Sequence, residues 1–470
     1  MKITPKKSAI ALALTLAFTS AYSFASNETL VIQSSASGVL EGQTAAVSQN
    51  GELNLALLQQ DGAVNLTDVE QTGVFNESYS QVDGQNNTIE TDQADDWHVT
   101  SVNTVGDENN INVVQSGFYN QADLTVVGNQ NNVSTEQSGE QNTATVSLGG
   151  GRNEAQSEQT GDANWTMTSI EGNNNQVTSI QVGDSNESGL ITSVGDGNTL
   201  YVEQTGNQNV GGVVNLRGND NSISVQQQGN LNAFIARPLE GNDNVVDVFQ
   251  SGSANEFIAE PISGNANVVF VQQEGNANQL VAEQGISGNN LVVDVLQQGD
   301  GNLAQLGSSG DDHTLTLSQQ GDNNIAALMT EGSANNLTIN QSGSENFGYV
   351  ETLGSENVVT IEQAGNANEV AATSDTESNQ NSVQVSQQGD LNLVDLLVTG
   401  SGNELDIQQS GNGNWVASSD GAAAVTGNDG TISVNQQGND NLVNVQQGGE
   451  GSVVTVVQNG DFNVATINQR

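Results

Sequence analysis

The 470-residue chain has no cysteine, which excludes disulfide staples and thiolate metal sites. Lysine is absent after Lys7, and the whole chain holds seven basic residues against 55 acidic ones. A surface of that sign repels phosphate backbones and anionic lipid, so neither nucleic-acid binding nor direct membrane insertion is expected. Proline occurs three times, as Pro5, Pro238 and Pro261, and histidine twice, as His98 and His313. The one sustained apolar run, Ala9 to Phe18, follows Lys2, Lys6 and Lys7 and is too short to span a bilayer comfortably. With Ser23-Phe24-Ala25 behind it, residues 1–25 read as a signal peptide for export from a bacterial-type cell. Its removal leaves Arg152, Arg217, Arg237 and Arg470 against 55 acids, a net charge of −51.

What the chain has instead is a period. In 109–131, NNINVVQSGFYNQADLTVVGNQN, alternate residues Asn109, Ile111, Val113 and Gln115, then Asn120, Ala122, Leu124 and Val126, form two strands with one buried face each. The frame Gln-x-Gly-x-x-Asn returns about every 22 residues, with a second Gly-x-x-Asn half-way between. Its glutamine column runs Gln49, Gln71, Gln93, Gln115, Gln137, Gln159, Gln181, Gln204, Gln227, Gln250, Gln273, Gln297, Gln319, Gln341, Gln363, Gln387, Gln409, Gln436 and Gln458. The half-way column is mostly Val, Ile, Leu, Thr or Ser, with amides at Gln60 and Gln447.

Such a repeat cannot bury its apolar slots alone but can do so by stacking. The expected fold is an all-β solenoid of about 19 strand-turn-strand repeats forming two parallel cross-β sheets, spanning 49–470 after an irregular cap segment at 26–48. Each glutamine then lies above the last, donating to one neighbour and accepting from the other. Asn109, Asn120, Asn131, Asn142, Asn153, Asn164 and Asn175 form the matching ladder at strand starts. Pairs such as Val246 and Val248, Val269 and Val271, Val359 and Ile361, or Val383 and Val385 fill the core. Gly117, Gly139, Gly161, Gly183, Gly321 and Gly343 supply the positive φ of the turns, often followed by Asp or Asn. Extra residues fall in one arm only, as in 227–239 or 409–425, and Pro238 and Pro261 lie within such lengthened arms. One sheet should therefore be uniform and the other irregular.

The frame Gln-x-Gly-x-x-Asn-x-Ala in Gln115–Ala122, Gln137–Ala144 and Gln458–Ala465 resembles the curlin repeat of the curli fibre subunits. The resemblance covers roughly 43–470 and implies a secreted bacterial amyloid subunit of the cell surface and extracellular matrix, working in adhesion and biofilm formation. Its implied partners are further copies of itself, other curli-like subunits and an outer-membrane secretion pore. Curlin repeats usually begin with Ser where this chain has Asn, and usually carry the second Gln that survives here as Gln60 and Gln447. The closing residues 466–470, TINQR, are more similar to the minor, nucleating subunit.

Other chemistries find little footing. His98 and His313 follow the acidic pairs Asp95-Asp96 and Asp311-Asp312, yet both occupy Asn slots far apart along the rod and read as ladder substitutions, not as a metal or acid/base site. Acidic turns such as Glu140, Asp162 and Asp184 read as a solvated surface, with calcium between rungs as the alternative. Trp97, Trp165 and Trp415, with Tyr119, Tyr201 and Phe249, read as too scattered for a stacking platform. A row of outward threonines for ice is not visible beyond the pair Thr166 and Thr168. No catalytic set, cofactor site or metal site is expected. Two readings remain: a self-assembling fibre subunit, or a monomeric or surface-attached solenoid adhesin binding calcium, glycan or ice along one face.

Overall fold

The computed structural model describes residues 26–35, 42–417 and 421–469; the expected signal peptide lies outside them. Every regular element among the described residues is a β-strand, and strands pair in parallel with the strand one repeat away. Asn132–Glu140 lies on Asn110–Phe118 with Gln137 opposite Gln115, and Thr143–Gly151 lies on Gln121–Asn129 with Leu148 opposite Val126. The chain is a parallel β-solenoid of about 19 turns with ~22-residue repeats in two sheets. At about 4.8 Å per rung the rod is roughly 90 Å long.

The sheet carrying the glutamine column, here the Gln sheet, runs from Thr44–Glu52 to Val453–Asn459 in unbroken strands. The opposite, alternate sheet runs from Glu28–Ser34 to Val464–Gln469 and is 25-stranded because five of its rungs are split in two. The splits fall where the arms lengthen, as in Ala233–Ala236 with Leu239–Glu240. Phe234, Ala236 and Leu239 all stay buried there, so the extra residue is thrown outward at Arg237 and both halves keep their core face. Phe234 and Phe257, each 0% exposed, fill this section of the core with ring centroids 5.3 Å apart.

The core is a long thin seam, with the slots Val246, Val248, Val269, Val271, Val359, Ile361, Val383 and Val385 all inside it. Burial of these side chains is what offsets the chain entropy of ordering each rung. Thr166 and Thr168 also point inward and are buried, so they are core residues and not part of an outer threonine face. Alternation alone places them there, since they share the parity of Asn164 and Ile170.

The tight spacing is set at the turns. Gly117, Gly139, Gly161, Gly183, Gly321 and Gly343 all have φ between 99° and 121°. A Cβ on Gly139 would overlap the carbonyl oxygen of Gly161 in the next rung, so the column needs glycine for close stacking as well as for φ. Two residues on, each corner takes a left-handed residue regardless of type, as at Tyr119 (φ 56°) and Gln141 (φ 57°).

Candidate assembly site: stacked amides along the rod

The Gln sheet ends each strand with an inward glutamine whose side chain has no water to bond. From Gln49 to Gln458 each Nε2 donates to the Oε1 of the next rung, every bond lying between 2.7 and 3.0 Å. The sequence-predicted residues from Gln71 to Gln436 are at most 2% exposed and Gln458, on the last rung, is 6% exposed. A second N–H of the same amide crosses the core to the opposite sheet, as from Gln137 to the Gln121 carbonyl at 3.0 Å. Each glutamine therefore ties rung to rung and sheet to sheet. Leaving such an amide unpaired costs about 1 to 3 kcal/mol.

Asparagines act differently from a simple amide ladder. Both the backbone N–H and the Nδ2 of Asn131 donate to Asn109 Oδ1 at 3.0 Å, and Nδ2 also reaches the Gly150 carbonyl at 3.0 Å. Asn109, Asn131, Asn153 and Asn175 make one such column and Asn120, Asn142 and Asn164 the facing one. Each residue clamps the strand start below to the turn above. The polarity is uniform: toward the C-terminal end of the rod each glutamine of the column offers an Nε2 donor, and each asparagine an Oδ1 acceptor beside its Nδ2 donor to the turn.

A third kind of ladder lies at the turns, where acidic residues read as free surface charge. Asp162 Oδ1 accepts the Glu140 backbone N–H at 2.9 Å, and Asp184 Oδ1 accepts that of Asp162 at 3.0 Å. On the opposite edge Asn129 Oδ1 accepts the Asp107 N–H at 2.8 Å. Short Asp and Asn side chains are thus selected to satisfy turn donors one rung below.

This arrangement meets its match among known repeats. The family model of the Curlin associated repeat matches at residues 44–73, 172–206, 288–321, 310–343, 332–365 and 379–411. The chain belongs to the curlin-repeat family. No curated protein matches it. The family is generally non-enzymatic.

The remaining candidates in this curlin-repeat chain fall into place around the ladders. His98 and His313 stand in asparagine slots: Nδ1 accepts the N–H of Asn120 at 3.3 Å and of Asn335 at 3.1 Å. Burial holds both imidazoles below their ordinary pKa. Among the described residues no group of three His, Asp or Glu is placed to hold a metal ion.

The aromatic residues correct the expectation of scatter. Phe75, Trp97 and Tyr119 stack in three successive rungs, with centroids 4.0 and 5.5 Å apart and planes inclined by 18° and 21°. Their spacing equals the repeat, so the left-handed corner residue of each rung lands on the last. The rings use their faces on one another, which leaves edges for solvent. Trp415 stands exposed elsewhere on the rod, and Tyr201 hydrogen-bonds Glu203 at 2.8 Å.

Proposed function

We propose that the chain is a secreted structural subunit whose copies add end to end into a curli-type cross-β fibre of the cell surface and matrix, serving adhesion and biofilm formation. The observation that carries this reading is the glutamine ladder, which runs without a gap from the first strand of its sheet to the last. A stack in which every rung templates the next carries the same glutamine ladder at its ends as inside. Adding a copy is then a repeat of the contact each rung already makes, and a head-to-tail contact that does not close gives a filament. The long acidic flanks keep filaments apart while the ends remain free to grow. Other curli-like subunits and a secretion pore are the partners the family implies.

The turn carboxylates already engaged by backbone N–H groups and the inward threonines give no support to a calcium- or ice-binding adhesin. The deciding experiment dilutes residues 26–470 from denaturant and follows thioflavin fluorescence with electron microscopy and fibre diffraction. Unbranched fibres with a meridional reflection near 4.8 Å are expected. A stable monomeric rod would overturn the proposal.

A further inference from the structure

At the corner before the alternate sheet, three successive rungs place Leu391, Gly413 and Asp440 in the same left-handed position, at φ 60°, 63° and 53°. Leu391 is 63% exposed and stands out from the rod, whereas Gly413 has no side chain and leaves a gap between its neighbours. The Asp440 carboxylate leans toward that gap, since a Cβ on Gly413 would lie 2.7 Å from Asp440 Oδ1. Beside the corner, Trp415 lies in register between Leu393 and Leu442, with Glu369 one rung below Leu393. Together they line a groove of about 560 Å³, in which Trp415 is 51% exposed.

The groove offers a ligand a narrow set of contacts. Its two asparagines are committed to the ladder: Asn392 Nδ2 donates to Asn368 Oδ1 and to the Gly411 carbonyl, and Asn441 Nδ2 to Asn414 Oδ1. The backbone N–H groups of Leu391, Leu393, Gly413, Trp415, Asp440 and Leu442 all donate to carbonyls. The Glu369 and Asp440 carboxylates take part in no hydrogen bond or ion pair among the described residues, and no Lys, Arg or His occurs from 314 to 469. What is left free is two carboxylates and the Trp415 indole N–H, set among leucines. Such a site repels an anion, and a neutral ligand gains nothing from its two charges. Leu391 and Asp440 are two rungs apart, about 10 Å, so the gap over Gly413 admits one small head at a time.

We propose that this groove binds a small organic cation of the quaternary ammonium class, free in solution. Its methyl groups lie against the open Trp415 ring and the leucines, and its charge is offset by Glu369 and Asp440. A trimethylated head carries no N–H, which suits apolar walls with acceptors at the two ends of the groove. A cation over an aromatic face is stabilised by the ring quadrupole, and Trp is the strongest of the aromatic side chains in this role. The other exposed aromatic cluster does not offer it, because the faces of Trp97 are covered by Phe75 and Tyr119. The groove is complete within one copy, so it exists in a single rod as well as in a fibre.

The test follows the emission of Trp415 alone, in the chain carrying Trp97→Phe and Trp165→Phe, during titration with choline at an ionic strength held constant with sodium chloride. A saturable change with a midpoint of about 1 mM is expected. The neutral carbon isostere of choline should bind about tenfold more weakly. Gly413→Asn, a residue that tolerates the left-handed corner, fills the gap and should abolish the change. Glu369→Gln with Asp440→Asn should weaken binding about tenfold, whereas Asp123→Asn, an exposed acid elsewhere on the alternate sheet, should leave it unchanged. Equal responses to choline and its isostere, or a response that survives Gly413→Asn, would overturn the cation site. Emission that responds to methyl glucoside instead would assign the groove to a neutral sugar, and emission that responds only to phosphatidylcholine vesicles would assign it to a bilayer; either overturns the proposal, as would no change with any of these probes.

Discussion

His98 Nδ1 accepts the backbone N–H of Asn120, one rung above, at 3.3 Å, just as Asn76 Oδ1 accepts that of His98 at 3.0 Å one rung below. With Nε2 2.7 Å from the Ala94 carbonyl, the neutral imidazole protonated on Nε2 reproduces both hydrogen-bonding roles of an asparagine. His313 repeats the arrangement with Asn335 and the Ser309 carbonyl. Protonation of Nδ1 would replace the acceptor with a donor facing a donor.

A pH dependence follows from that conflict. Burial is the main cause that lowers both histidine pKa values from 6.5, outweighing the nearby Asp95 and Asp96 for His98, and Asp311 and Asp312 for His313. A depressed pKa means the unfolded chain binds the proton more readily. The stability these sites contribute is therefore complete above the unfolded value near 6.5 and is lost as pH falls through the folded one. The double variant His98→Asn with His313→Asn should lose less stability than the parent between about pH 7 and pH 5, measured by guanidinium unfolding. Parallel pH profiles would show that the histidines do not titrate in this window.

The columns were legible in the sequence wherever a position had a single demand. A buried amide that must meet its own copy can only be Gln or Asn at that reach, so Gln115 and Asn109 declared the register. Trp97 escaped because corner positions accept many residue types, although the spacing of Phe75, Trp97 and Tyr119 carries the same arithmetic. Asp162 escaped for another reason: a carboxylate reads as charge, and its use as a short acceptor for a turn N–H depends on rung spacing. The asparagine clamp onto the Gly150 carbonyl and the common direction of the amide bonds are matters of rotamer and had no sequence signal.

Breaking two neighbouring glutamines should show what the ladder contributes. Gln319 donates to Gln341 at 2.9 Å, and Gln341 to Gln363 at 2.9 Å. Gln319→Ala with Gln341→Ala removes two links of the ladder and leaves the Gln363 acceptor buried without its donor, at a cost of about 1 to 3 kcal/mol. Fibre growth should slow markedly relative to the parent, whereas exposed Asp123→Ala should leave it within twofold. Equal rates for the two variants, followed by thioflavin fluorescence, would mean that the interior ladder does not order assembly.

Thr135 offers the opposite sign. It occupies a core slot between Val113 and Ser157, and its buried hydroxyl has no hydrogen-bond partner. Thr135→Val keeps the shape and removes the unsatisfied group, so the folded chain should gain about 1 kcal/mol. A raised guanidinium midpoint with an unchanged slope is the expected result. A lowered midpoint would mean that the hydroxyl has a partner in solution.

Charge should act on the flanks of the rod more than on its ends. Among the described residues the ion pairs are Arg217 with Glu240 and Arg237 with Glu260, each at 3.5 Å and well exposed, and exposed pairs of this kind offset little of the chain's net −48. Lateral approach of two rods is therefore repulsive at low ionic strength and is screened within about 10 Å near 0.1 M salt. Elongation brings together end rungs with few acids, so its rate should respond less to salt than bundling does. Light scattering from preformed fibres should rise severalfold between about 0.01 and 0.5 M sodium chloride, while seeded elongation changes by a smaller factor. Bundling that stayed flat across the series would mean that something other than charge holds the flanks apart.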